Sequence, residues 1–465
     1  MMKQKANKKT EILQDIKFIL SEFEKISQWS FSESSEEDRW KFLSKIEHVN
    51  FSDGKFITLT KDAISRFRKL TRDVINSKRC GSWLDYEEVY KSMIFTFDDR
   101  FISNKNNLSE GKVESFIAKS LKWAENSSCK DHIHYIPCRL MYPAKEQQPF
   151  NIGPVKFRCT QLFEEDLKEK FEAVSSSERY FLVEAWDYYQ QFTWVAEIYI
   201  QGCSPKASKN KAILSVTAAV DTLQLIFGAY HTEKMGIGGP ALSEDRRAHF
   251  HLDHLGNLKI DLSSNSTSSV SFLDDWLKIF EKEEAKHILQ GIDKVIRSLN
   301  FRREYPVALR FIDALSWFGQ AVREQFSAGK IIKGITALEH LLLLNEYEDK
   351  AETLAKRSAS LLHLYTENHR DGQSAFKVKT AYGLRSELAH GSLSPFAVEV
   401  EEQASFILEL VREIILCGLC FFEEEGVFES ADITNKKLRE FFDALLFKSE
   451  QYLAGQKILM AEPTQ

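Results

Sequence analysis

The chain has 465 residues, 43% of them hydrophobic and 12% aromatic, with 28% charged and a formal net charge of −6. That composition argues against a disordered chain, and the near-cancelling charge argues against a surface coated in cations for duplex DNA, while leaving room for a local basic patch. No stretch approaches the ~18 consecutive apolar residues of a membrane span, the N-terminal MMKQKANKKTEILQDI has no apolar signal core, and seven scattered Cys fit free thiols in a reducing cytosol, so a cytoplasmic protein with no membrane partner is expected.

Residues 1–125 read as mainly helical. ILQDIKFILSEFEKI carries apolar residues at three- and four-residue spacing. Thr60 and Ser109 are placed to cap the helices that follow them, and the short run KFITLT (55–60), which ends on Thr60, reads as a strand. From 126 to 300 the period changes to an α+β region suited to a sensor or regulatory role. HIHYIPCRLMY (132–142), FNIGPVKFRCTQLF (150–163), ERYFLVEAW and FTWVAEIYI alternate like strands, although the last could open a helix. KNKAILSVTAAVDTLQLIFGAY (209–230) is a long helix with Ile213, Val216, Val220, Leu223 and Phe227 on one stripe. RAHFHLDHLGNLKIDL (247–262) predicts a hairpin turning at Leu255-Gly256-Asn257, followed by a loop, SSNSTSS (263–269). Helical pattern resumes at FLDDWLKIF and AKHILQGIDKVIRSL. Beyond a boundary near Asn300, helices are expected at 305–326, 328–345, 348–365, 376–390, 396–424 and 434–453. Short connections between long amphipathic helices predict a bundle over 301–455.

Four constellations bear on chemistry. The first is Arg385 and His390, in RSELAH, followed by Gly391. RNA is cut by its own 2′-hydroxyl when a base removes that proton and an acid protonates the leaving 5′-oxygen, while a fixed cation stabilises charge on the phosphorus oxygens. His can serve as acid or base near neutral pH, and Arg can grip phosphate with two parallel hydrogen bonds. Five helical positions turn about 500°, which leaves the two side chains about 140° apart. They converge only at a broken helix end or across a second protomer. Gly391 is suited to end the helix in the left-handed conformation. The spacing alone is weak: Arg246 and His251 share it, and Arg357 and His363 come within one residue of it.

The second constellation, HFHLDH (249–254), matches the His-x-His-x-Asp-His string of metallo-β-lactamase-like hydrolases, but SEDRRA precedes it where an apolar strand is needed, and a turn and strand follow it. A hairpin with a polar face is the expectation. The third, Cys129, His132, His134 and Cys138, lacks paired Cys-x2-Cys knuckles and reads as an ordinary strand. The fourth, Cys417-x2-Cys420, lies inside an apolar helix and reads as packing. No metal or other cofactor is expected.

ALEHLL (337–342), LAKRSASLL (354–362) and YGLRSELAHG (382–391), in that order on successive helices, resemble the HEPN domain, in particular its Apea-like branch. The resemblance covers about a third of the chain. It implies an all-α C-terminal HEPN-like bundle that pairs as a homodimer; with the α+β pattern read before it, a mixed fold is expected, an N-terminal α+β region followed by that bundle. It also implies a metal-independent endoribonuclease of a prokaryotic defence or toxin system, acting on RNA such as tRNA or mRNA, with a phage-derived trigger or regulatory partner. Arg385 and His390 map onto the family's Arg-x4-6-His motif. Glu339 and Arg357 are charges in apolar stretches, and buried charges are usually paired; Glu339 is expected to pair with Arg357 or Arg385 and to orient the site. Ser386 and Glu387 complete the supporting set. Active members often carry Asn, Asp or His after the Arg. Ser386 therefore favours the alternative, a non-catalytic module binding RNA, nucleotide or a partner.

Overall fold

A computed structural model describes residues 2–29, 34–50, 56–104, 108–141, 148–172, 175, 177, 179–239, 244–252, 258–266, 276–344, 349–367 and 373–461. The chain is 71% helical, with an antiparallel sheet region in the N-terminal half and helices toward the C-terminus; among the described residues every strand ends by Ser266. It divides into two compact units, residues 1–132 with 200–210, and residues 133–199 with 211–465. The boundary expected near Asn300 falls inside the second unit, because the helix just before it packs on the helices that follow it.

In chain order the elements are α1 (Met2–Ser27), α2 (Glu36–Leu43), β1 (Ile46–Asn50), β2 (Phe56–Thr60), α3 (Lys61–Lys78), α4 (Tyr86–Phe97), α5 (Glu110–Ser128), β3 (Lys130–Arg139), β4 (Phe150–Ile152), β5 (Val155–Cys159), α6 (Thr160–Glu172), α7 (Arg179–Tyr189), β6 (Trp194–Cys203), α8 (Pro205–Phe227), α9 (Ala229–Thr232), β7 (Gly236–Ile237), β8 (Glu244–Leu252), β9 (Leu258–Ser266), α10 (Glu283–Ser298), α11 (Pro306–Val322), α12 (Ser327–Leu342), α13 (Lys350–Tyr365), α14 (Ser374–His390), α15 (Val398–Glu424) and α16 (Asn435–Ala461).

The first unit is built on α1, α3, α4 and α5 around Ile16, Ile19, Phe67, Leu70, Phe97 and Phe116. Thr60 starts α3 as expected: its hydroxyl accepts from Ala63 N at 3.2 Å, satisfying one of the amides that a helix start leaves without a partner. Ser109 precedes α5, with no side-chain cap bond. The strand expected at 55–60 pairs antiparallel with β1, Ile46 opposite Thr60.

The second unit contains a five-stranded sheet in the order β4-β5-β6-β3-β7. ERYFLVEAW is a correction: residues 179–189 form α7, not a strand. Leu182, Trp186, Tyr188 and Tyr189 are its half-buried positions, and Leu182, Trp186 and Tyr189 among them stand four and three residues apart, a helical period. They follow Phe163 and Leu167 of α6, and this aromatic group packs on Val195 and Tyr135 of the sheet. TQLF, expected as the end of a strand, likewise opens α6. On α8 burial extends well beyond one stripe, taking in Ser215, Asp221, Thr222 and Gln224 as well as Val216, Val220 and Leu223.

The hairpin expected at 247–262 is present, with His249 opposite Asp261 and His251 opposite Lys259. Its turn, Leu255 to Asn257, lies outside the described residues. Ser263 to Ser266, expected as the start of a loop, instead continue β9 opposite Arg247 to Glu244, and residues 267–269 lie outside the described residues. Trp276–Glu281 is a short 3-10 helix, and α10 to α16 follow the helices expected from periodicity to within a few residues, except that α16 runs further, to Ala461. Pro306 sits in the first turn of α11, where its missing amide costs nothing. Within the bundle α12 packs chiefly on α11 and α15 and also on α14, while α13 packs on α14, α15 and α16. No helix among the described residues is long and apolar enough to cross a membrane.

Candidate functional site

The last turns of α12 and α14 meet through one ion pair. Arg385 Nη2 donates to Glu339 Oε2 at 3.1 Å, with both side chains mostly buried. Glu339 belongs to ALEHLL, where Ala337, Leu338, Leu341 and Leu342 are buried, so helix packing sets where its carboxylate points. Of the two partners the sequence left open for Glu339, the geometry pairs it with Arg385. Arg357 is engaged at the end of α12. It is buried, its Nη1 donates to Leu342 O at 2.5 Å, and its guanidinium carbon lies 4.4 Å from the Phe442 ring centroid. A buried cation there satisfies a carbonyl that the helix end would leave without a partner.

Sequence reasoning missed two residues here. Tyr382, one turn before Arg385, has its phenol pushed up first by burial and then by the Glu339 carboxylate, with which it hydrogen-bonds. The signal was its three-residue spacing from Arg385, which puts both on one side of α14. Arg310 of α11 donates Nη1 to His340 O at 2.5 Å and Leu343 O at 2.7 Å, closing the end of α12 beyond Glu339.

His390 is the last residue of α14 and is exposed. Gly391 follows in the left-handed region at φ 74°. Ser392 N donates to Glu387 O at 3.0 Å and Gly391 N to Leu388 O at 3.3 Å, the paired bonds of a Schellman end. The helix is therefore regular up to His390. With about 140° between positions 385 and 390, Arg385 is turned to α12 while His390 faces solvent. Arg385 Nε is buried with no hydrogen-bond partner among the described residues. Ser386 is half-buried and Glu387 exposed.

Beside this end of α14, a groove of about 540 Å³ runs between α14 and α15, lined by Phe376, Thr380, Leu384, Glu387, Gln403 and Phe406 among others. Phe376 and Phe406 on its walls are exposed, as are Phe396 and Val398 at the start of α15. Gly383 also lines it, and a Cβ there would meet nothing within 4 Å.

The other constellations are dispersed. Asp253 and His254 of HFHLDH lie outside the described residues. Cys138 is fully buried in β3, and burial pushes its thiol well above the ordinary range. Cys417 and Cys420 lie within α15, where burial raises both thiols, that of Cys420 to about 11. Among the described residues, no group of three or more His, Cys, Asp or Glu is arranged to hold a metal ion. Two cations near the start of the bundle are engaged in packing: Lys211 is buried and donates to Phe301 O at 3.3 Å, and Arg303 pairs with Asp432 at 2.6 Å. Comparison with family models, curated proteins and solved structures finds no match to this chain.

Proposed function

We propose that the C-terminal helices form a HEPN-like bundle of the Apea-like kind that cuts RNA without a metal ion. The observation that carries this reading is the end of α14: an Arg held by a half-buried carboxylate and, five residues on, an exposed His at a glycine-terminated helix end. Arg385 stabilises charge on the phosphorus oxygens as the 2′-oxygen attacks and the 5′-oxygen leaves. His390 moves the proton, as base to the 2′-hydroxyl or as acid to the 5′-oxygen. Because the two side chains diverge on one helix, the site is completed by a second copy of the chain. The exposed Phe376, Phe396, Val398 and Phe406 beside α14 supply apolar surface for that contact. The products carry a 2′,3′-cyclic phosphate and a 5′-hydroxyl. The setting is cytoplasmic anti-phage or toxin-like defence, with tRNA or mRNA as target.

The test is expression of the protein with and without His390→Ala, followed by sequencing of RNA ends. Cleavage should survive EDTA and fall by about 10²–10⁴-fold in the variant. A variant as active or as toxic as the parent, in a folded protein, ends this mechanism.

A second reading, a binding module without catalysis, is favoured by Ser386 and by the Glu339 pair itself, since a guanidinium already facing a carboxylate offers less charge to a phosphate. RNA binding with no new RNA ends would select it.

A further inference from the structure

The first unit carries a charged surface that the cleavage chemistry does not use. Helix α3 buries Ala63, Ile64, Phe67, Leu70, Thr71 and Val74. At about 100° per residue, Lys61, Arg68 and Arg72 fall within about 40° of one another, roughly 120° around from that buried face. All three are exposed, and Arg79, also exposed, extends the row just past the helix end. The acids of α3, Asp62 and Asp73, lie on the opposite flank. Two further cations, Arg66 and Lys69, are turned away and neutralised by Asp15 at 2.7 and 3.5 Å. Lys45 joins the same end of the row, since Lys61 N donates to Lys45 O at 2.8 Å.

The row is backed by aromatic side chains of α4. The Arg72 guanidinium lies over the Tyr86 ring at 6.0 Å, Tyr86 stacks on Tyr90 at 6.1 Å, and the Tyr86 hydroxyl donates to Arg68 O at 3.3 Å. Glu47 and Glu87 are the acids facing this tyrosine pair. In a chain of net charge −6, this is a local excess of cations with its central Arg placed over a ring.

We propose that this row is a binding face for the phosphate backbone of single-stranded RNA, with Arg68 and Arg72 as its central contacts. Arg68 and Arg72 lie about 6 Å apart along the helix axis, and Lys61 and Arg79 each lie about 10 Å further out, so one strand can be tracked by successive cations. Each guanidinium fork can hold phosphate oxygens in pairs. Arg72, with one face against Tyr86, keeps its other face for a base. An anionic membrane fits less well: the apolar residues of α3 are buried in the unit, and no large apolar side chain of α3 is exposed to enter a bilayer interface. The choice of RNA as the polyanion rests on the ribonuclease reading, but binding here requires no cleavage.

The test uses the full chain and a fluorescent 2′-O-methyl RNA oligonucleotide, which lacks the attacking hydroxyl, with binding followed by anisotropy across salt concentrations. Arg68→Gln/Arg72→Gln should weaken binding at least about tenfold and lower the slope of log K against log salt by about 1.4, since each phosphate contact on a single strand contributes about 0.7. Arg68→Lys/Arg72→Lys should keep the slope, and Lys122→Gln on the exposed side of α5 should change neither quantity. Unchanged affinity and slope in the Gln double variant overturns the proposal. Loss of binding to vesicles containing anionic phospholipid, with RNA binding intact, overturns it in favour of a membrane. If unmodified RNA is bound through this face but never cut, the proposal stands and the ribonuclease reading fails.

Discussion

Two Arg–carboxylate pairs in the second unit look alike in a contact map and differ in kind. Asp221 of α8 accepts from Arg323 Nη1 at 2.7 Å, and Arg323 also reaches Gln224 Oε1 at 2.9 Å. Asp221 is fully buried, its Oδ2 has no partner among the described residues, and burial pushes its carboxyl up to about 6 despite the Arg beside it. Gly319 of α11 comes so close that a Cβ there would sit 2.0 Å from Asp221 Oδ1. Glu339 and Arg385 keep 20% and 25% of their side-chain surface exposed, against 0% for Asp221. The deeper pair holds α8 against α11, where desolvation makes loss of one partner costly. The two cations are exposed alike, Arg323 at 27% and Arg385 at 25%, so the pairs differ in their carboxylates: Glu339 stays partly in contact with solvent and Asp221 does not.

The largest expected effect tests the deep pair. Asp221→Ala should lower unfolding free energy by about 3 kcal/mol, because it leaves Arg323 without its carboxylate; a denaturant melt within error of the parent would remove the distinction between the pairs. The same group sets a pH dependence. Its folded value of about 6 lies above the ordinary 3.8, so the folded state binds the proton more tightly. The stability it contributes is full below about 3.8 and is lost as pH rises through about 6. Asp221→Asn should flatten the stability profile within that window, read from melts at a series of pH values.

An intermediate effect tests the shallow pair. Glu339→Gln should change stability by less than about 1 kcal/mol, as expected for a partly exposed pair, while lowering RNA cleavage at least about tenfold, equivalent to about 1.4 kcal/mol of transition-state stabilisation. Full activity in a folded variant would remove the orienting role of Glu339. An effect of comparable size is expected at the helix end. Gly391→Ala forces a side chain into the left-handed region at φ 74°, which costs about 1–2 kcal/mol, and a thermal melt should show it as a modest loss. No loss at all would mean that the helix end beside His390 rearranges at no cost.

Much of the helical half was legible because its signals are local. Three- and four-residue periodicity delimits α11 to α15, and Pro306 and Gly391 mark ends through backbone preferences that need no tertiary partner. The β-containing region was less legible. ERYFLVEAW holds β-favouring residues yet forms α7, because packing Trp186 and Tyr189 on Val195 outweighs local propensity. In the site, Arg385 and His390 stood out in the sequence, but Tyr382 did not, since a lone Tyr on a half-apolar helix face reads as packing.

By itself the sequence determined where α14 ends and that His390 closes it, since a left-handed Gly is a property of a few consecutive residues. Only the tertiary structure decided that Glu339 meets Arg385 while Arg357 closes the end of α12 against Phe442. That choice depends on how α12, α13, α14 and α16 pack, and a charge in an apolar stretch says that a partner is needed without saying which one.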